Sequence, residues 1–80
     1  MATTTTTLTE SYTLLNAGAC VVEVRGGNGV RIHIGASAPA DSTDDYHPKS
    51  RGENVSYSGS ENVYARADSG SAKVVTTGVV

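Results

Sequence analysis

Apolar and polar residues alternate with a period of two along most of this chain of 80 residues. In Cys20-Val21-Val22-Glu23-Val24-Arg25, the residues Cys20, Val22 and Val24 share one face of an extended segment while Glu23 and Arg25 point to water, as a half-buried strand requires. Val30-Arg31-Ile32-His33-Ile34 alternates strictly, with Val30, Ile32 and Ile34 inward and Arg31 and His33 outward. Between them lies Gly26-Gly27-Asn28-Gly29, whose residues suit a tight turn with positive φ, so the two segments are expected to pair as a β-hairpin. Glu10 to Leu15, closed by Asn16-Ala17-Gly18, predicts an earlier strand. Later strands are expected at Asn54 to Ser58 with Val55 and Tyr57 inward, at Asn62 to Ala67 with Val63, Ala65 and Ala67 inward, and at Ala72 to Val79. Ser58-Gly59-Ser60 and Asp68-Ser69-Gly70-Ser71 supply the turns between these. Residues 36–53, ASAPADSTDDYHPKSRGE, carry both prolines and read as one long surface connection. No window sustains the i, i+3, i+4, i+7 apolar spacing of an amphipathic helix.

The pattern therefore predicts an all-β fold: a small antiparallel β-sandwich or jelly-roll-like barrel of about six to seven short strands. Thr3, Thr4, Thr5, Thr6 and Thr7, ahead of Leu8, decide the seventh. Threonine is β-branched and favours extended backbone, while its hydroxyl keeps an unpaired segment in solution. Two readings follow. One is a plain first strand; the other, which we take as the expectation, is an extended N-terminal arm over residues 1–9, with residues 10–80 forming the single sandwich domain. Five extended residues reach about 17 Å, enough to add as a strand to a neighbouring subunit with Leu8 as the apolar foothold.

Composition sharpens this. Hydrophobic residues make up 38% of the chain, with no Phe, no Trp and four Tyr, so the core must be built from Val, Ile, Leu and tyrosine rings. So thin a core calls for disulfides, a metal or a partner. Cys20 is the only cysteine and reads as a small buried hydrophobe, and no Cys/His quartet offers a structural zinc, which leaves oligomerisation or docking onto a partner. Six Lys and Arg stand against eight Asp and Glu without a basic cluster, so no nucleic-acid partner is expected. No basic n-region with an apolar h-region opens the sequence, and no apolar run approaches the ~20 residues of a membrane helix. A soluble chain without signal peptide or membrane partner is the expectation.

Candidate chemistry is sparse. No G-x-S-x-G marks a serine as activated. His33 falls on the outward face of its strand. Asp44-Asp45-Tyr46-His47 has ligand residue types, but its spacing matches neither a zinc site nor a calcium loop. Gly26-Gly27-Asn28-Gly29 lacks the helix and the Lys-Ser/Thr of a phosphate loop. Asn54-Val55-Ser56 fits the N-glycosylation pattern but reads as a strand start. No catalytic, cofactor-binding or metal-binding residue is therefore assigned, and a non-enzymatic protein is expected. Tyr46 and Tyr57 are assigned to core or sheet-edge packing. Tyr64, outward by alternation, is either core filling or an interface anchor.

Ile32-His33-Ile34-Gly35-Ala36-Ser37-Ala38-Pro39, then Arg51-Gly52-Glu53, then Val63-Tyr64-Ala65-Arg66-Ala67 and Ser71-Ala72-Lys73-Val74-Val75, set a strand, a long loop, a glycine turn and two closing strands in order. Over residues 19–76 this order resembles the small all-β virion proteins of tailed bacteriophages. The resemblance implies a non-enzymatic structural protein, made in the host bacterial cytoplasm and located in the virion, whose partners are the major capsid protein or other virion subunits; with the thin core it also favours a homo-oligomer, and a trimer is expected. A capsid decoration (cement) protein that stabilises the assembled head is the first expectation. The alternatives are a tail or head-fibre component, or a carbohydrate- or receptor-binding module using the 36–53 loop. Thr3, Thr4, Thr5, Thr6, Thr7, Leu8, Val21, Tyr64 and Val75 are the candidate interaction residues, Val21 and Val75 because alternation turns these two apolar side chains outward.

Overall fold

The computed structural model describes residues 3–78, and all regular structure among them is β-strand. The eight strands are β1 (Thr3–Leu8), β2 (Thr13–Ala17), β3 (Cys20–Gly27), β4 (Val30–Gly35), β5 (His47–Lys49), β6 (Asn54–Tyr57), β7 (Asn62–Ala67) and β8 (Ala72–Gly78). They form two four-stranded antiparallel sheets, ordered β1-β8-β3-β6 (sheet A) and β2-β7-β4-β5 (sheet B). The pairs β1–β8, β2–β7, β3–β6 and β4–β5 are nested. The chain is thus one long antiparallel ribbon whose tip is the β4–β5 connection, wound so that β3 meets β8 and β4 meets β7. This is the strand order of a jelly roll.

Alternation places the core as the sequence predicts. Cys20, Val22 and Val24 of β3, Val30 and Ile32 of β4, Val63, Ala65 and Ala67 of β7, and Ala72 and Val74 of β8 fill the space between the sheets, with Leu15, Ile34, Val55 and Tyr57 packed against them. Small side chains dominate this layer, and fully burying each Val, Leu or Ile contributes only about 1.5–3 kcal/mol.

Three expectations need correction. The Gly26–Gly29 segment is not a hairpin turn, because β3 and β4 lie in different sheets and do not pair. It is a corner between sheets. Gly27 (φ 96°) and Gly29 (φ 113°) take the left-handed region there, and Asp68 donates its N–H to the Gly29 carbonyl at 3.0 Å. The remaining short turns are also corners: in the strand order above, only the long β4–β5 connection joins hydrogen-bonded neighbours. The second correction concerns that connection. His47–Lys49 within it forms β5, pairing with β4 as Val30↔Lys49, Arg31↔Pro48 and Ile32↔His47, so the strands number eight. Pro48 is tolerated because β5 is the edge of sheet B.

The third correction concerns the threonines. They are not an arm apart from the fold. Thr3–Leu8 is the edge strand of sheet A, paired without interruption from Thr3↔Thr77 to Leu8↔Ala72, and Leu8 is fully buried. Beyond β1, the Thr9 carbonyl accepts the Ala67 N–H at 2.7 Å and ties the β1–β2 connection to sheet B.

Candidate functional site

The two outer faces of the sandwich differ in kind. On sheet B the outward side chains of β4 and β7 are large and polar, Arg31 and His33 standing opposite Arg66 and Tyr64, while Leu14 of β2, opposite Tyr64, is exposed. Two arginines directly opposite repel unless their charge is accommodated. Each has its own solution. The Arg31 guanidinium donates Nε–H to Asp68 Oδ1 at 2.8 Å and stacks over the Tyr46 ring, 4.8 Å from its centroid. The bond to Asp68 holds the Arg31 pKa above its ordinary value. Arg66 is buried, and its guanidinium donates to three backbone carbonyls, those of Asp41 (2.6 Å), Ala67 (2.9 Å) and Asp68 (3.5 Å).

The cover over this face is the tip of the ribbon, residues 36–46. Its carbonyls also take up hydrogen bonds from Asn62 Nδ2 at Ala36 and from His33 Nδ1 at Asp45. The Asp41 carboxylate accepts the Tyr12 N–H at 3.1 Å and the Ser11 hydroxyl at 3.3 Å, which fastens the start of β2 to the same loop. Tyr12, His33 and Tyr64 form a chain of rings beneath it, with centroids 6.2 and 6.5 Å apart. Tyr64 is consequently only 8% exposed, its hydroxyl accepting a bond from Asn62 at 3.1 Å. The alternation that turns Tyr64 outward holds, but the face is roofed by the protein's own loop.

Tyr12 is the exception within this cluster, since its hydroxyl is buried without a hydrogen-bond partner. Burial pushes its pKa above 10.0, more than Arg31 and Arg66 lower it. Replacing Tyr12 by Phe removes the orphan hydroxyl and is expected to raise stability by about 1 kcal/mol. The pH dependence follows from the direction of the shift. Above pH 10 the unfolded chain releases this proton before the folded one does, so the stabilisation is complete below the unfolded value and is lost as pH rises through the folded one. Thermal melts at pH 9 to 11 should show a smaller alkaline decline for Tyr12→Phe than for the parent chain; equal declines would refute this role.

Where the tip leaves sheet B, an open groove of 390 Å³ runs past His33, Ile34, Asp44, Asp45, Tyr46 and His47. Its acidic and histidine side chains do not converge: among the described residues no group of three or more His, Cys, Asp or Glu is placed to hold a metal ion. Cys20 is buried and its thiol pKa is raised by that burial, so the thiolate is disfavoured. Tyr57, partly buried against the core, accepts the Glu61 N–H with its hydroxyl at 3.0 Å.

Sheet A presents a different outer face. From the strand registers, successive rows across β1, β8 and β3 read Thr3-Thr77-Val21, then Thr5-Val75-Glu23, then Thr7-Lys73. Ser56 of β6 lies beside Val21, and Asn54 beside Glu23. The two rows that hold Val21 and Val75 carry one charge, that of Glu23, whose carboxylate is bonded to Arg25 at 2.9 Å. Val21 is 39% exposed and Val75 is half-buried. The registers therefore bring Thr3, Thr5, Thr7, Val21 and Val75 onto one outer face, whereas Thr4, Thr6 and Leu8 face the interior side and Tyr64 lies on the opposite sheet.

The residues that sequence reasoning missed are Tyr12, Arg31, Asp41 and Arg66. A signal for them existed in the pairing of two outward arginines with an acidic loop between their strands. Comparison of the chain with protein-family models, with curated proteins and with solved structures finds no match in any of the three.

Proposed function

We propose that this chain is a non-enzymatic structural subunit of a bacteriophage virion, a decoration protein that binds the assembled head and stabilises it. The observation that carries this reading is the outer face of sheet A: rich in Thr and Val, with Thr3, Thr5, Thr7 and Val21 exposed, and nearly free of net charge. Such a face is suited to lie against another protein surface, because threonine and valine side chains cost little rotamer entropy when they are buried. The jelly-roll order recurs in viral capsid domains, an analogy at the level of fold. A subunit that binds the assembled shell and not its free components stabilises the shell by mass action.

The test is co-sedimentation of the purified chain with empty phage capsids, alongside a variant carrying Val21→Lys and Val75→Lys. The parent chain should pellet with the shells, and the double variant should remain in the supernatant while keeping a cooperative melt. A parent chain that stays in solution would sink the proposal. The groove at His33 and Tyr46 favours a second reading, a carbohydrate-binding module, since lectin domains share the jelly-roll order. Binding to immobilised glycans that is abolished by His47→Ala, with no affinity for shells, would establish it instead.

A further inference from the structure

Each sheet has two edge strands, and an edge exposes a row of unpaired N–H and C=O groups that invites another strand unless it is protected. Three of the four edges carry protection. β5 has three residues, one of them Pro48. β6 has four residues. β2 is broken by a register shift between Leu14 and Asn16. β1 has none of these: its six residues carry no charge, no proline and no glycine, and its register with β8 is continuous.

We infer that the β1 edge is a self-recognition site, at which a second copy of this chain adds its own β1 antiparallel about a two-fold axis at Thr5, joining two copies of sheet A into one eight-stranded sheet. The occupant follows from the sequence of the strand. Thr3 to Thr7 reads identically in both directions, so this alignment sets threonine opposite threonine at every one of its five positions. An isologous contact demands such self-complementarity. The two-fold axis keeps Thr3, Thr5 and Thr7 of both copies on the same outer face, where opposed threonines hydrogen-bond across strands. The fold already makes this contact once, between the Thr3 and Thr77 hydroxyls at 2.9 Å.

Charge placement agrees. With Thr5 on the axis, the row holding Lys73 and Thr7 continues into the partner's Thr3 and Thr77, and the central row runs from Val75 through both Thr5 residues to the partner's Val75. No like charges are set opposite one another. The inference shares Thr3, Thr5, Thr7 and Val75 with the shell-binding face but rests on the backbone edge of β1, so it is tested on the chain in the absence of shells.

Sedimentation equilibrium of the full chain over a concentration series tests it, with Thr5→Lys, Thr5→Glu and their equimolar mixture. The parent chain should move from monomer to twice the monomer mass. Each variant alone should associate at least tenfold more weakly, because two like charges meet on the axis, and the mixture should recover the dimer. Both substitutions fall on an exposed strand position, and their melts report whether the fold is kept. Hydrogen exchange on the parent chain serves without any variant: protection of Thr3 to Thr7 amides should rise with concentration. A parent chain that is monomeric at about 1 mM, corresponding to less than about 4 kcal/mol of association, overturns the inference. So does a trimer, variants that associate as the parent does, a mixture that stays monomeric, or exchange at Thr3 to Thr7 that is indifferent to concentration.

Discussion

Leu8→Ala is expected to destabilise the protein by about 2–5 kcal/mol, the range for truncating a fully buried leucine, and urea denaturation should show the midpoint falling with little change of slope. Leu8 and Ile32 are the two largest of the fully buried side chains among the described residues. Leu8 closes the end of the core where β1 and the start of β8 pair, opposite the small side chain of Ala72. A domain of this size holds on the order of 4–12 kcal/mol at roughly 0.05–0.15 kcal/mol per residue. The substitution therefore removes a large share of the whole and lowers the melting temperature by about 8–40 °C, at about 4–8 °C per kcal/mol. Thr5→Ala on the same strand supplies the contrast, because Thr5 is exposed and its loss should stay within about 0.5–1 kcal/mol. The comparison also decides the status of the first strand. If the threonine segment were a detachable arm, both substitutions would leave the folding free energy unchanged.

That contrast shows where the sequence is informative and where it is not. A period of two says which face of a strand is buried, and it places Cys20, Val22, Val24, Val30, Ile32, Val63, Ala65 and Ala67 in the core as observed. It says nothing about which strands are neighbours. Gly26-Gly27-Asn28-Gly29 has the composition of a hairpin turn because positive φ is needed both for hairpins and for corners between sheets, and only the partner strand distinguishes them. In a nested ribbon that partner is distant in sequence: β3 lies between β8 and β6. The same limit hid the roof over sheet B. Arg66 and Tyr64 are outward by alternation and still buried, because a loop twenty and more residues upstream in the chain folds across them. Alternation cannot report a cover made by irregular backbone. Pro48 argued against a strand at His47–Lys49, and the strand exists because an edge position leaves its missing N–H without cost. The threonine run was legible as extended chain from β-branching alone; that it pairs with β8 in its own sheet rested on Leu8, a single residue whose burial no pattern of polar neighbours announces.

The corner at Gly27 gives the other large effect. A Cβ built on Gly27 would lie 2.6 Å from the Ser71 carbonyl oxygen and 2.8 Å from Ala72 Cα and Cβ. Two of these are backbone atoms of the segment entering β8 and the third is the Cβ fixed to it, and Gly27 pairs with Ala72 in sheet A, so neither side is free to withdraw. Gly27→Ala therefore combines the strain of φ 96° in a residue with a side chain, about 1–3 kcal/mol, with overpacking of about 1–3 kcal/mol. The sum is on the order of 4 kcal/mol, enough to leave the domain partly unfolded at 37 °C. Gly52→Ala isolates the first contribution, since Gly52 has φ 91° and no atom within 4 Å of its would-be Cβ, and it should cost only the strain. Gly27→Asn separates corner from hairpin. Asparagine is among the preferred residues in tight hairpin turns with positive φ, so a hairpin at this site would accept it almost without loss. At the corner its Cβ meets the same carbonyl as that of alanine, and calorimetric melts should place Gly27→Asn within about 1 kcal/mol of Gly27→Ala. An asparagine variant as stable as the parent would show that β3 and β4 do not part into separate sheets at this glycine.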